Sequence, residues 1–537
     1  MLVAIEQWMK IFNKAMKGLL RGNGPFVMIN GEGSLLCGQG GYMKYLVTSA
    51  EMKEYDNNTI EHMGIPALVL MERAALSVRE QMKEMAIDLS AKSALIAVGS
   101  GNNGADGLAL ARLLAEDGMN VFVVECADTQ HATESYKKQR DILAFYDVCF
   151  LGDLDEAKER YDFIIDGIFG VGLSRTVNEK FAGIIAQLNQ MKGIKLAIDI
   201  PSGIDGTTGM VMGCAFCADV TVTFGFPKRG LDLYPGTEYA GEVKVKDIGI
   251  GERAFLGHDP EMFMYDESPA DLLPLRIKSG NKGTFGKVLL IAGWENMAGA
   301  AIMSAKAALQ TGAGMVKVFC SEGNRSILQC AVPEAMYGNK ETLLKDIKWA
   351  DVIVAGPGMG QSEEAAEVLQ TVLDEIVQTP KALLLDADAL NLLASGKICV
   401  YKKQRIVMTP HVGELARLTG KEISYIKSHI VEVAKAASLD YDSVMVCKDA
   451  RTYVHAAGHS GYLNIFGNSG MATAGSGDVL SGIIAGLLAQ GQDLFAAACT
   501  GVYLHGLAGD EAAEKVSEYG VTATRIIAQL KDMMKGS

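Results

Sequence analysis

From Ser93 onward the chain alternates short, uninterrupted apolar runs with stretches of helical spacing, and glycine-rich or acidic breaks separate the two. The runs Ala94 to Val98, Val121 to Val124, Phe163 to Ile165, Leu196 to Ile198 and Val220 to Phe224 read as strands of a parallel α/β sheet. Between Gly249 and Lys278 the rhythm lapses into a segment carrying Pro260, Pro269 and Pro274, which predicts a linker. A second series follows: Val288 to Ala292, Met315 to Phe319, Val352 to Ala355, Leu383 to Leu385, Ile406 to Met408 and Val444 to Cys447, with helices such as Ala300 to Thr311 between them. The pattern predicts two α/β domains over residues 45–265 and 266–537, preceded by an extension over residues 1–44. The glycine-rich signatures of the two halves differ in order and composition, so no sequence repeat links them.

Length alone, 537 residues, suggests about three domains, and the periodicity selects two large ones. A composition of 49% hydrophobic and 21% charged residues with 60 glycines describes a soluble globular chain with many tight turns. The formal net charge of -14 argues against nucleic acid or anionic lipid as a partner, because an acidic surface repels a polyanion. A small anionic ligand held by local backbone donors remains open. Ten scattered cysteines fit reduced thiols in a cytoplasmic protein rather than a disulfide framework. The single CxxC pair, Cys214 and Cys217, has no second pair at zinc spacing and is assigned no metal. In the extension, Lys10, Lys14 and Lys17 interrupt the amphipathic stretch Ile5 to Leu20, which argues against a secretory signal or membrane span. Together with the glycine-rich run ending near Gly41 it reads as a disordered extension, or as residues ahead of a true start at Met43.

The chemistry of the first half gathers at strand ends. The strand Ala94 to Val98 runs through Gly99, Ser100 and Gly101 into Asn102, Asn103, Gly104, Ala105, Asp106 and Gly107, and then into the helical Leu108 to Ala115. Strand, glycine loop and helix form a phosphate-binding geometry, since glycines admit close approach and the helix start offers free N–H groups. A plain tight turn is the competing reading. Two more strands end in acids, Asp166 followed by Gly167 to Leu173, and Asp199 followed by Ile200, Pro201, Ser202 and Gly203. With Asn103 and Ser202 these acids offer hard oxygens for a cation or for proton transfer, although either could simply cap a turn.

Segments GIPALVLMERA (Gly64 to Ala74), VGSGNNGADG (Val98 to Gly107), DGIFGVGL (Asp166 to Leu173) and AIDIPSGIDGTTG (Ala197 to Gly209) resemble the NAD(P)H-hydrate epimerase, or YjeF N-terminal, domain over about Tyr45 to Gly251. The resemblance implies that Asn102, Asn103, Gly104, Ala105 and Asp106, with Gly170, Val171, Gly172, Leu173, Ser174, Arg175 and Thr176, hold a hydrated dinucleotide. It further implies potassium on Asn103, Asp166 and Ser202, and Asp199 at the hydrated nicotinamide as the acid/base group. Ala105 stands where a third glycine is frequent in the family.

In the second half Gly467, Asn468, Ser469, Gly470, Met471, Ala472, Thr473, Ala474, Gly475, Ser476, Gly477 and Asp478 lead into the apolar helix Val479 to Ala489. N–H groups of Gly475, Ser476 and Gly477 can stabilise a transferring phosphoryl group while Asp478 takes the proton of an attacking hydroxyl, the logic of a small-molecule kinase. An aspartate in a first helical turn is also favoured by the helix dipole. Upstream, Ala355 to Gly360, Asp386 to Asn391 and Thr409 to Glu414 follow predicted strands; His411 reads as structural or as a presented side chain, and Lys448 as a phosphate ligand or an exposed lysine.

With KGTFG (Lys282 to Gly286), Ala298 to Ala308 and Asn464, these segments resemble the ADP- or ATP-dependent NAD(P)H-hydrate dehydratase over about Lys278 to Leu530. That resemblance implies an adenine nucleotide on Lys448, Asp449, Ala450, Arg451 and Thr452 and on Asn468 to Gly477, with Mg2+ accompanying ADP. It places Ala300, Gly358, His411 and Asp478 at the hydrated cofactor. Val412 replaces a usual proline and Asp449 a usual glycine, the latter adding negative charge beside the phosphate site. Together the resemblances imply an N-terminal Rossmann-like three-layer domain followed by a C-terminal ribokinase-like α/β domain. They imply small-molecule substrates and a homo-oligomer, with one domain exchanging the R and S hydrates and the other dehydrating the S form. A competing reading makes the second half an ordinary ribokinase-like kinase and the first a non-catalytic nucleotide-binding module.

Overall fold

The structure, a computed structural model, describes residues 27–29, 35–37, 43–86 and 88–535. The amphipathic stretch Ile5 to Leu20 lies outside the described residues. Within the extension, Val27–Ile29 and Leu35–Cys37 pair as antiparallel strands.

Two large sheets dominate. The first has seven strands, in spatial order Glu242–Lys246, Val220–Phe224, Lys192–Ile198, Arg160–Gly167, Ser93–Val98, Asn120–Glu125 and Val148–Leu151, and every neighbouring pair is parallel. Uninterrupted apolar runs arise because both faces are covered: Ala94, Ile96 and Val98 enter one hydrophobic cluster, whereas Leu95 and Ala97 enter another. Each such fully buried Leu, Ile or Val side chain stabilises the domain by about 1.5–3 kcal/mol.

The second sheet has eleven strands. Its parallel part runs Met336–Gly338, Met315–Phe319, Lys287–Ile291, Val352–Ala355, Ala382–Leu385, Arg405–Met408 and Val444–Cys447, after which Thr452–His455 and Gly461–Asn464 continue antiparallel. Here too Val288 and Leu290 face one cluster while Leu289 and Ile291 face the other.

Counted along each series, both parallel sheets place the third, second and first strands before the fourth, fifth, sixth and seventh. The two halves therefore share a winding that their glycine motifs do not reveal. Such an order creates a reversal point between the first and fourth strands, where a crevice opens outside the strand ends.

The stretch Gly249 to Lys278, which the prolines mark as a linker, contains the strand Met262–Tyr265. It pairs parallel with Gly461–Asn464 and antiparallel with Met43–Leu46, so both segments complete the larger sheet. The chain enters that sheet at Met43, builds the seven-stranded domain, and returns. All four residues of Met262–Tyr265 are buried; flanking prolines hid a run too short to show a period.

Candidate active sites

At the reversal point of the smaller sheet, the loops after Ser93–Val98 and Arg160–Gly167 lie side by side, with the Gly99 N–H donating to the Gly167 carbonyl at 3.1 Å. Between them opens a cavity of about 780 Å³ whose wall includes Asn102, Asn103, Asp106, Gly170, Val171, Gly172, Leu173, Ser174, Arg175 and Asp199. Gly104 and Ala105 lie beneath this wall in the first turn of the helix Asn102–Glu116, both buried. Ala105 is fully buried among apolar residues, so its methyl group is accommodated. The γ-methyl of Thr176 lies against Gly213, away from the cavity wall.

A Cβ on Gly104 would sit 1.9 Å from the Gly99 carbonyl oxygen, so the loop closes on the helix only with glycine there. Gly104→Ala is expected to cost about 1–3 kcal/mol of domain stability by overpacking, and chemical denaturation checks it.

Asp199 follows the strand Lys192–Ile198 with φ 67°, a left-handed conformation that aspartate adopts at a cost. Its Oδ1 accepts from Lys228 Nζ at 2.6 Å and from Thr223 Oγ1 at 3.1 Å. Lys228, 1% exposed, lies 29 residues on and was not singled out by sequence reasoning. A lysine set between Pro227 and Arg229-Gly230, just past a buried strand end, was the available signal. Asp56 was missed as well; it lines the same cavity as Asp106 and Asp199. Burial holds the Asp106 carboxyl well above the usual carboxylate range, and the negative charges of Asp199 and Asp56 push it further. Burial, then Asp199, also raises Asp56.

Asp166 and Ser202, fully buried, lie under the same loops. Asp166 accepts from the Ser202 hydroxyl at 2.6 Å, the Ser202 N–H at 2.7 Å and the Ile168 N–H at 3.1 Å. Burial nevertheless lifts its carboxyl to about 6. Asn103 donates its amide to the Phe169 carbonyl at 3.0 Å, which leaves its Oδ1 without a hydrogen-bond donor among the described residues. One carboxylate, one amide oxygen and one hydroxyl form a hard, weakly charged oxygen set, suited to an alkali cation more than to a divalent one.

In the larger sheet the reversal point lies between Lys287–Ile291 and Val352–Ala355. The loop after the second of these strands places Gly358, φ 56°, against the first turn of the helix Ala298–Gln310, where an added Cβ would lie 2.9 Å from that of Met297 and 3.1 Å from that of Ala300. Ala300 and Gly358 are thus neighbours. Asp478 stands in the first turn of Ser476–Ala489, which Gly475 opens with φ 88°. The Ser304 hydroxyl donates to the Asp478 carbonyl at 2.9 Å and ties this turn to Ala298–Gln310. Burial, reinforced by Asp386 and opposed by Lys448, raises the Asp478 carboxyl to about 6.

Lys448 is no ordinary exposed lysine: it donates to Asp386 Oδ1 at 2.8 Å, while Ser481 donates to Asp386 Oδ2 at 2.7 Å. Its Nζ lies 3.4 Å from where a Gly477 side chain would begin, so the ammonium sits at the mouth of the glycine loop. The loop is fastened from behind, where Asp510 accepts from the Gly467 N–H at 2.8 Å and the Asn468 amide at 2.9 Å. His505 Nε2 lies 3.2 Å from the Ser476 hydroxyl, and burial depresses its imidazole to about 4, so it stays neutral.

His411 caps the helix Val412–Thr419: its Nδ1 accepts from the N–H groups of Gly413 and Glu414, and Glu414 reaches back to the His411 N–H at 2.9 Å. A capping Nδ1 must be unprotonated, which puts the proton on Nε2. Val412 is buried at the first helical position. Asp449 is exposed and borders the cleft between the domains, together with Arg451. Arg451 turns toward the smaller domain, donating to the Asp232 carbonyl at 3.2 Å with its guanidinium over the Tyr234 ring.

Two family models match this chain, one described as YjeF-related protein N-terminus over residues 67–230 and one as NAD(P)H-hydrate dehydratase over residues 288–532. The bifunctional NAD(P)H-hydrate repair enzyme of Thermofilum pendens is 34% identical, over 90% of this chain and 95% of that protein. The enzyme of the same name from Moorella thermoacetica is 36% identical, over 89% of this chain and 94% of that protein. A solved structure of a ribokinase-like superfamily protein from Enterococcus faecalis is 34% identical, covering 51% of this chain and 95% of that one, with a TM-score of 0.47. With both domain models in this order and relatives matched over nine-tenths of its length, the chain belongs to the family of bifunctional NAD(P)H-hydrate repair enzymes.

Proposed function

We infer that this protein returns hydrated NADH and NADPH to use, exchanging their R and S forms in the smaller domain and dehydrating the S form in the larger one. The observation that carries this is a carboxylate beside a glycine loop in each domain: Asp199 lines the cavity of the smaller one, and Asp478 stands in the helical turn that Gly475 opens in the larger.

Hydration of an enamine double bond puts the hydroxyl on the carbon beside the ring nitrogen. In the smaller domain Asp199 takes the hydroxyl proton, the oxygen's electrons form a C=O bond, and the carbon–nitrogen bond breaks with its pair passing to nitrogen. Asp106, whose carboxyl is pushed upward by its burial and its acidic neighbours, supplies the proton to that nitrogen. Rotation of the aldehyde and reversal of both transfers close the ring with the other configuration, so no proton is gained or lost. Asn102, Asn103 and Asp106 with Gly170 to Arg175 face the dinucleotide, while Gly104, Ala105 and Thr176 shape the loops behind them. Potassium would be held by Asn103, Asp166 and Ser202, where it supplies a positive charge beneath the phosphate-facing loops.

In the larger domain the ring hydroxyl attacks the terminal phosphorus of ADP, its proton passes to Asp478, and AMP leaves. The ring C–O bond then breaks to release phosphate, and loss of a proton from the adjacent ring carbon restores the double bond. Lys448, Asp449 and Ala450 with Asn468 to Gly477 bind the nucleotide, while Arg451 and Thr452 fasten that segment to the rest of the fold; Ala300, Gly358 and His411 pack against the cofactor. Asp386 and Asp388 both add negative charge at Asp478, against the one ammonium of Lys448. Mg2+ on the nucleotide would offset that deficit when a polyanion enters.

Among the described residues no helix is long and apolar enough to cross a membrane; the described cysteines are free thiols, the state a reducing cytoplasm maintains. The ordinary kinase reading is not favoured, since both family models match in one chain. The test is recovery of NADH absorbance from mixed R and S hydrates with ADP, ATP or no nucleotide, in potassium and in sodium buffer. Full recovery with ADP in potassium supports the whole assignment. A phosphorylated product in place of free phosphate restores the kinase reading.

A further inference from the structure

We propose that Lys228 is the positioning residue of the epimerase reaction, holding Asp199 so that its Oδ2 alone faces the substrate ring. The inference rests on the reading of Asp199 as the proton-handling group. Lys228 reaches the rear of the cavity with its side chain 1% exposed. Its ammonium has three hydrogens and meets three acceptors: Asp199 Oδ1 at 2.6 Å, Thr223 Oγ1 at 3.0 Å and the Phe224 carbonyl at 2.8 Å. Every donor is therefore spent on the protein, and none is left for the substrate. Thr223 closes the arrangement from the other side by donating to the same Asp199 Oδ1 at 3.1 Å.

Two donors on one oxygen fix the plane of the carboxylate and leave Oδ2 with no partner among the described residues. Asp199 lines the cavity, so the unengaged oxygen is the one a ligand can meet. Other charged groups lining this pocket are Asp56, Asp106, Asp128, Lys53, Arg175 and Lys180. None of these cations takes part in a hydrogen bond to Asp199. Lys228 itself is anchored outside the catalytic loops, because residues 228 and 229 dock on Val47 through a parallel bridge and an Arg229 N–H bond of 2.9 Å. The lysine thus carries the rigidity of the domain to the carboxylate.

The experiment compares Lys228→Met, Thr223→Val and Asp199→Asn in the full chain, measuring kcat and KM for R-hydrate consumption with ADP and Mg2+ present. Thermal unfolding of the smaller domain followed by circular dichroism reports its fold, and dehydration of purified S hydrate reports that of the larger domain. Lys228→Met is expected to lose at least a hundredfold in kcat with KM within threefold of the parent, and ethylammonium is expected to restore part of the loss. Thr223→Val, nearly isosteric, is expected to lose about tenfold in kcat at unchanged KM, and it decides the matter if Lys228→Met does not fold. Parent-like kcat in Thr223→Val together with parent-like kcat in any folded Lys228→Met overturns the proposal while Asp199→Asn stays inactive. An active Asp199→Asn overturns instead the reading of Asp199 on which it rests. A rise in KM without a fall in kcat assigns Lys228 to substrate binding and likewise overturns it.

Discussion

Replacing Asp478 by Asn is expected to reduce dehydration of the S hydrate by on the order of 10³-fold while R–S exchange continues at the parental rate. The carboxylate stands in the first turn of Ser476–Ala489, beside the N–H groups that would receive phosphoryl charge, and no other carboxyl in that turn can replace it. Asp386 is committed to Lys448 and Ser481, and Asp388 accepts from the Gly360 N–H at 2.9 Å. The substitution keeps shape and removes only the proton acceptor, so KM for ADP should change little. Because burial holds Asp478 at about 6, kcat/KM of the parent should fall roughly tenfold per pH unit below that value and level off above it. The sign follows from the role: a group that must accept a proton works only when deprotonated, and a raised pKa moves its loss of activity upward in pH. Stopped assays of phosphate release between pH 5 and 8 check both statements. A parent-like rate in Asp478→Asn would remove this residue from the chemistry.

The strands of both domains were legible because parallel sheets covered on two faces demand apolar residues at every position, as in Ala94 to Val98 and Val288 to Ala292. The glycine loops were legible for a related reason: glycines cluster where backbone must approach ligand or helix, as Gly104 does against Gly99. Met262–Tyr265 was not, since four residues between prolines show no period and their partners lie at Met43–Leu46 and Gly461–Asn464, far away in the chain. The common winding of the two sheets also escaped, because strand order is a property of pairing rather than of any local motif. At the sites, acids at strand ends announced themselves, whereas Lys228 did not: its meaning comes from Asp199, which a second strand brings within 2.6 Å. Asp56, on the helix Ser49–Asn57, is likewise made relevant only by packing against the cavity. His411 was ambiguous in sequence, because a cap through its Nδ1 depends on how the loop before Val412–Thr419 turns.

Asp199→Asn is expected to divide the activity of the protein in two. With mixed R and S hydrates, ADP and Mg2+, absorbance should rise at the parental rate until the S form is consumed and then continue only as fast as the uncatalysed exchange supplies more. A loss of about 10²- to 10⁴-fold in catalysed exchange is the range for removing a positioned acid/base group. The substitution has a second consequence that must be separated from the first. It leaves the Lys228 ammonium buried beside a neutral amide, and breaking a buried ion pair from one side costs about 3–5 kcal/mol. The amide oxygen can still accept from Lys228 and Thr223 Oγ1, so the expected loss lies at the lower end of that range. Thermal unfolding should therefore show an earlier transition for the smaller domain, with the dehydratase transition unmoved. If the domain remains folded at the assay temperature and exchange is absent, the lost activity belongs to the proton chemistry of Asp199; if exchange persists in the folded variant, the proton passes through another group of the cavity, of which Asp106 is the nearest in kind.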